Sequence, residues 1–301
     1  MMQWKKLGLI FKPPSDLDWM VSHAALPVAQ HLGGDAFRVY FSGRDVDNRA
    51  RIGYFDFDLI SHSVLHVSTK PLIDIGVIGA YDDSGVTASW LVLHAGSEYH
   101  YFTGWSRGVS VPFYFYAGLA LKTASDAVPL KVSAAPILER NVVDPFLTAS
   151  PCVLVEQNLW RMWYVSAARW EMIDDHPRHY YNIRYAESSD GIHWSRTGRV
   201  CIDFTSDDEY AFARPCVLKD GNVYKMWYSW RGESYRIGYA ESQDGLSWLR
   251  KDGEAGIDVS PSGWDSEMIE YPFVFDHNGN RYMLYNGNAY GKSGIGLAVL
   301  G

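Results

Sequence analysis

The stretch Ile237-Gly238-Tyr239-Ala240-Glu241-Ser242-Gln243-Asp244-Gly245-Leu246-Ser247-Trp248 restates Ile183-Arg184-Tyr185-Ala186-Glu187-Ser188-Ser189-Asp190-Gly191-Ile192-His193-Trp194. Each copy follows a strand-like run that ends in Tyr, Met226-Trp227-Tyr228 and Met162-Trp163-Tyr164. Upstream of each lies an apolar run centred on proline, Pro215 and Pro151. The module recurs along the chain. Its openings are Pro27, Ala88, Pro151, Pro215 and Pro272, and its second strands carry Phe41, Phe102, Tyr164, Tyr228 and Tyr285. A period of roughly 60 residues made of short strands is the mark of a radial β architecture, because one such unit cannot bury its own faces. The sequence therefore predicts an all-β fold, a five-bladed β-propeller, as one domain over residues 1–301. The blades are read as 20–76, 77–139, 140–204, 205–258 and 259–301 plus 1–11. The Asp-Gly pairs mark turns between third and fourth strands. The last module ends at Gly301 without a fourth strand, and Trp4-Lys5-Lys6-Leu7-Gly8-Leu9-Ile10-Phe11 resembles Trp194-Ser195-Arg196-Thr197-Gly198-Arg199-Val200-Cys201. An N-terminal strand closing the last blade is the expectation, and it removes an open sheet edge.

The net charge of −8 argues against nucleic acid and anionic membranes as partners. No apolar stretch approaches a membrane span. Cys152, Cys201 and Cys216 form no Cys-x-x-Cys pair. Two of them directly follow a repeat proline and read as buried thiols, which suits a cytoplasmic location. No cofactor and no metal site is expected, and an ion in the axial channel is left open.

In a four-stranded blade the segment before strand 1 and the loop between strands 2 and 3 share one face. The first set carries His23, Asp82-Asp83, Asp144, Glu209 with Arg214, and Asp265 with Glu267 and Glu270. The second carries Arg44, Trp105 with Arg107, Arg169, Arg231, and Asn288 with Lys292. A cation in every one of these loops predicts a ligand bearing phosphate or carboxylate, held by arginine forks. Asp83 and Glu267 occupy equivalent places, five residues before the repeat position, and are read as pointing at the axis. Glu270 is read as a structural partner of Arg214 or Arg281. Residues 166–181, with His176 and His179, are read as a polar lid or rim loop.

A five-bladed pattern with Ser-x-Asp-Gly-x-x-Trp turns resembles the clan of glycoside hydrolase families 32 and 43. Ser22-His23-Ala24, Tyr40 to Asp45, Asp82 to Gly85, Arg214-Pro215, Gly263 to Met268 and Tyr285 to Asn288 resemble a glycosidase-like family associated with bacterial surface-polysaccharide gene clusters. The clan's chemistry implies carboxylates around the axis, one acting as acid and one as base or nucleophile. The first-blade Asp of the clan is replaced here, since Trp19-Met20-Val21-Ser22-His23 carries Ser22 in its place, and Asp144-Pro145 resembles the stabiliser's Asp-Pro. The expected catalytic residues are Asp83, Glu209 and Glu267. The expected substrate-binding residues are His23, Arg44, Arg107, Asp144, Arg169, Arg214, Arg231, Trp264 and Asn288. The implied function is a glycoside hydrolase-like enzyme acting on an anionic or carrier-linked saccharide. The alternatives are a non-catalytic sugar-binding or scaffold propeller, and a transferase or lyase using the same pocket.

Overall fold

The computed structural model describes residues 2–301. It holds β1 (Trp4–Phe11), β2 (Ser22–Gly33), β3 (Ala36–Arg44), β4 (Ala50–Asp58), β5 (Val64–Val67), β6 (Gly85–His94), β7 (Ser97–Arg107), β8 (Phe113–Lys122), β9 (Leu130–Lys131) and β10 (Thr148–Glu156). The second half holds β11 (Leu159–Ile173), β12 (His176–Ser188), β13 (Ser195–Ile202), β14 (Ala211–Asp220), β15 (Val223–Arg231), β16 (Tyr235–Ser242), β17 (Leu249–Arg250), β18 (Glu270–His277), β19 (Asn280–Asn286) and β20 (Ile295–Leu300). Among the described residues the protein is nearly all β, with one short 3-10 turn at Asp252–Glu254 and a tight turn at Asn288–Gly291 whose central residues are left-handed. The strands pair in antiparallel units of four, β2 to β5, β6 to β9, β10 to β13, β14 to β17, and β18 to β20 with β1. We number these units one to five. Their first strands touch in cyclic order, β2 to β6, β10, β14, β18 and back to β2.

The N-terminal strand takes the place the sequence assigns to it. β1 pairs with β20 from Trp4 opposite Leu300 to Phe11 opposite Ile295. Lys6 bonds Asp265 at 2.7 Å in the fifth unit, and Phe11 stacks on Phe55 of the first at 4.0 Å. β1 thereby supplies the fifth unit's outer strand and ties that unit to the first.

A bulge interrupts each first strand, and in four of the five it falls at the repeat proline. Proline has no N–H for a ladder and is tolerated at a bulge. The register slips between Ala25 and Val28, Ala149 and Cys152, Ala213 and Cys216, and Glu270 and Phe273. Unit two slips between Ala88 and Trp90 without a proline. At the four prolines the preceding residue is left-handed, with φ of 58° at Leu26, 47° at Ser150, 53° at Arg214 and 56° at Tyr271. Such a conformation costs about 1–2 kcal/mol per residue, and the neighbouring unit offsets it. The bulged N–H is captured by the residue that follows the aromatic of the preceding unit's second strand. Asn286 accepts from Leu26 (2.8 Å), Ser42 from Ala88 (2.9 Å), Thr103 from Ser150 (2.8 Å) and Ser229 from Tyr271 (2.7 Å). The equivalent residue before unit four is Val165, which has no acceptor. There Arg214 itself crosses the axis.

Two sequence readings need correction. Residues 166–181 are no loop. β11 and β12 extend as a long hairpin paired out to Ile173 opposite His176. Asp174 and Asp175 both take positive φ, as a two-residue hairpin turn requires. Glu270 pairs with neither named arginine. Arg214 donates to the carbonyls of Pro27, Ala88 and Ser89, and Arg281 is bridged to Asp220 and Asp276.

Removing residues 1–11 exposes the edge of β20 and breaks both ties made by β1. The truncated chain is expected to melt about 10 °C or more below the full chain, at 2–4 °C per kcal/mol for a domain of this size, and to aggregate. An unchanged melting curve would contradict the closure.

Candidate active site

A cavity of about 570 Å³ opens among the strand 1 starts and the strand 2–3 connections. All five units contribute to it, with Leu26, Thr87, Ser150, Ala213 and Tyr271 from successive first strands. This size suits a small-molecule or short saccharide ligand. The bulges explain why these residues reach it, since the left-handed residues Leu26, Ser150 and Tyr271 line it. One wall is aromatic. Phe113 stacks on Phe115 at 4.3 Å, His179 stacks on Tyr181 at 4.1 Å, and Trp170 of the long hairpin packs on both Phe113 and His179.

Arg44, Arg107 and Arg231 line the cavity. None of the three makes an ion pair with a carboxylate among the described residues. Arg44 donates to Asn48 and Arg107 to the Asp47 carbonyl. Arg231 lies against the rings of Tyr210, Tyr235 and Tyr290 at 5.2–5.7 Å, and its Nε has no hydrogen-bond partner. Burial lowers the pKa of Arg44 from its ordinary value, while the group stays cationic.

No Asp or Glu stands among the lining residues. One carboxyl lies just beneath them. Two residues before the repeat position, the units carry Ala25, Val86, Ala149, Ala213 and Glu270. Ala149 and Ala213 line the cavity, and Glu270 holds the same place in unit five, behind the lining residues Tyr271 and Tyr290 and within the field of Arg231 and Arg44. Glu270 is 0 % exposed, and neither carboxyl oxygen has a hydrogen-bond partner. Burial pushes this carboxyl well above the usual carboxylate range, against the pull of Arg231 and Arg44. Burial thus favours the protonated form of this carboxyl, beside guanidinium groups that favour the charged one. The Tyr290 backbone lies beside it, in a turn where Ala289 and Tyr290 have φ of 57° and 59° between Gly287 and Gly291.

The structure does not bring Asp83, Glu209 and Glu267 to this cavity. Asp83 accepts from the Gly79 N–H and the Ser84 hydroxyl in a turn. Glu267 is exposed on the surface, and its backbone N–H donates to Asn288. Glu209 is a latch: both its oxygens bind Arg250, at 2.6 and 2.9 Å. Burial works to raise the Glu209 carboxyl, but Arg250 and the Thr205 N–H outweigh it and hold it below the usual range. The same latch recurs in other units. A buried acid before strand 1 meets a cation on strand 4 in Asp82–Lys131, Asp144–Arg196 and Asp265–Lys6. Asp144 is 0 % exposed and also accepts from Tyr164, Ser166 and Arg184.

Of the expected binding residues, Arg44, Arg107 and Arg231 are brought together at the cavity. The others lie elsewhere. Arg169 pairs with Glu171 and covers Tyr180. Trp264 packs on Tyr285 under Gly287. Asn288 bonds the Glu267 N–H and the Gly263 carbonyl. His23 is bonded to Ser22, and burial, then Arg44 and Lys292, lower its pKa to about 4. Arg214 is fully buried, and burial lowers its pKa to about 10. Glu270, Tyr235, Tyr271 and the aromatic wall were not singled out as site residues by sequence. The signal for Glu270 was present, as the one acidic residue in a column otherwise of Ala and Val.

The chain is 45% identical over 301 residues to "Uncharacterized protein MT1551" and to "Uncharacterized protein Rv1502", from two Mycobacterium tuberculosis strains, covering 99% of either partner. It belongs to their family. No family model matches the chain. Among solved structures, one titled "Glycoside hydrolase" superposes over 98% of this chain and 90% of its own, with TM-score 0.77 and 18% identity. A thermostable family-43 glycoside hydrolase superposes over 95% and 91%, with TM-score 0.65 and 14% identity. The protein thus has the propeller fold of glycoside hydrolases.

Asp144→Ala takes the shared buried carboxylate from Arg184 and Arg196, which keep Val143, Asn182 and Glu139, and leaves the Tyr164 and Ser166 hydroxyls without their acceptor, so it is expected to cost about 3 kcal/mol of stability. Glu267→Gln, an exposed change, is expected to stay within about 0.5 kcal/mol of the native chain, and Asp83→Asn, at a half-buried carboxyl that accepts two hydrogen bonds but pairs with no cation, to cost about 1 kcal/mol. Denaturant titration of the three variants reads the difference, and equal losses would refute the division into latch and surface carboxylates.

Proposed function

We propose that this protein is a carbohydrate-active enzyme that breaks or transfers a glycosidic linkage in the cavity, with Glu270 as the proton donor. The carrying observation is a fully buried carboxyl, Glu270, adjacent to the cavity-lining Tyr271 and beside Arg44 and Arg231, which pair with no carboxylate among the described residues. A glycosidic oxygen cannot leave as an alkoxide at neutral pH, so an acid must protonate it, and that acid must keep its proton until the bond breaks. Arg44, Arg107 and Arg231 bind an oxyanion carried by the reaction's partners, on an anionic or carrier-linked saccharide. The aromatic wall stacks against sugar faces. Because Glu270 is 0 % exposed, its role as proton donor requires the adjoining turn that bears Tyr290 to shift when substrate binds. The chain is read as one five-bladed propeller domain. Four-stranded units whose first strands touch in a closed cycle support that reading. Cytoplasmic placement is part of the same proposal.

A second reading, a sugar-binding propeller without catalysis, is favoured by one observation: no carboxyl lines the cavity among the described residues, and Glu270 alone is set behind that lining. Both hydrolytic routes use a pair of carboxyl groups.

Products of a saccharide panel in oxygen-18 water, read by mass spectrometry, separate the two. Turnover by the native chain, reduced about 100-fold or more in Glu270→Gln with ligand binding kept, is the expected outcome. Binding without turnover in both proteins supports the binding module.

A pH experiment needs no substrate. A carboxyl whose folded pKa is raised keeps its proton in the fold and loses it on unfolding. Its contribution to stability is full below its ordinary value of 4.5 and is lost as pH rises toward the folded pKa. The native chain is expected to lose melting temperature over that window relative to Glu270→Gln. Parallel curves would mean that Glu270 is ionised in the fold.

A further inference from the structure

Two features of the cavity are unusual together. Its arginines have no carboxylate partners, and its one acid has no companion that could activate water or attack the sugar. The other candidates are poor. His179 lines the cavity, but burial, then Arg231 and Arg178, lower its pKa to about 4, and it lies flat against Tyr181 among aromatic rings. A base that weak takes little of a proton from water at neutral pH. The phenols of Tyr235 and Tyr271 are pushed up by burial and stay protonated. The thiols of Cys152 and Cys216 are buried away from solvent, and each accepts a backbone N–H of the next unit.

A reactant that brings its own negative charge needs no base, and guanidinium groups are what hold it. Arg44 and Arg231 both act on the Glu270 carboxyl from the cavity side. An oxyanion seated between them would lie close to the acid and to the anomeric carbon of a bound sugar. Arginine suits phosphate because its planar fork binds two oxygens at once.

We propose that the oxyanion bound by Arg44 and Arg231 is inorganic phosphate, and that phosphate rather than water accepts the glycosyl group. The inference rests on the cavity being a site of glycosidic cleavage. An oxygen of hydrogen phosphate forms a bond to the anomeric carbon as the bond from that carbon to the leaving oxygen breaks. Glu270 gives its proton to the leaving oxygen, and the proton of hydrogen phosphate restores Glu270. The products are a glycosyl phosphate dianion and a sugar alcohol, so atoms and charge balance with no further reactant. Protonation of Glu270 and ionisation of phosphate coexist because the two arginines offset the phosphate charge while burial keeps the acid neutral.

The test uses the full chain and inorganic phosphate. Calorimetric titration is expected to show saturable binding with a Kd of about 1 mM or tighter. Arg44→Met with Arg231→Met is expected to weaken it about tenfold or more, while Glu270→Gln leaves it unchanged because a neutral group replaces a neutral group. Absence of saturable phosphate binding overturns the proposal. The second arm incubates oligosaccharides with phosphate in oxygen-18 water. A glycosyl phosphate free of the label, formed only with phosphate present and not by Glu270→Gln, is the expected product. A free sugar carrying the label, formed whether or not phosphate is present, overturns phosphorolysis and leaves the glycosidic-cleavage reading standing.

Discussion

The structure depends on how four of the five units capture the bulged first strand of the next. A left-handed residue ahead of a proline is locally unfavourable and leaves its N–H outside the regular ladder. That N–H is satisfied by a buried hydroxyl or amide on the second strand of the preceding unit, at Asn286, Thr103 and Ser229, and in unit two, which lacks the proline, Ser42 captures the Ala88 N–H in the same way. A buried donor without a partner costs about 1–3 kcal/mol, so each capture fixes both the bulge and the angle between units. Cys152 and Cys216 extend the same idea, accepting the N–H of Val217 and Val274 from the next unit. The bulges also make the site. By turning one residue out of each strand they set Leu26, Ser150 and Tyr271 around a common cavity.

Carboxylates in this protein divide by environment rather than by distance from the repeat. Asp82, Asp144, Glu209 and Asp265 are buried, but each meets a cation on its own unit's outer strand. The desolvation of such a pair is offset by its attraction and by hydrogen bonds to the remaining lone pairs. Glu270 is equally buried without an ion pair, and burial pushes its pKa well above the usual carboxylate range. Arg214 is the converse. It is a cation with no carboxylate, steadied by carbonyls from units one and two. Its guanidinium holds together first strands that the missing acceptor at Val165 would otherwise leave less tightly joined.

Much of the fold was legible in the sequence because repetition is a statement about packing. The period, the Asp-Gly turns and the outer strand at Trp4–Phe11 all follow from residues that recur, and Ser188 with Asp190 and Ser242 with Asp244 hold their turns in the same way. The cations at Arg44, Arg107 and Arg231 were legible for the same reason. The acids were not, since a count of residues before the repeat position gives no information on which carboxylate finds a partner across the unit. Lys131, Arg196 and Arg250 stand 41 to 52 residues from the acids they latch. The bulge defeats simple alternation of side chains, because an extra residue reverses facing. Comparing the repeats as columns recovers what counting misses: Glu270 replaces alanine or valine, and Val165 replaces a hydroxyl or amide.

The charge state of Glu270 is the central claim, and it can be measured directly. Carboxyl carbon-13 labelling of glutamate, with Glu270→Gln to assign the signal, follows its titration by NMR in the full chain. The account predicts a Glu270 resonance that remains that of a protonated acid at neutral pH, far above the ordinary value of 4.5. A resonance that titrates with the exposed glutamates would make Glu270 an ionised counter-charge to Arg44 and Arg231, and the proton-donor account would fail.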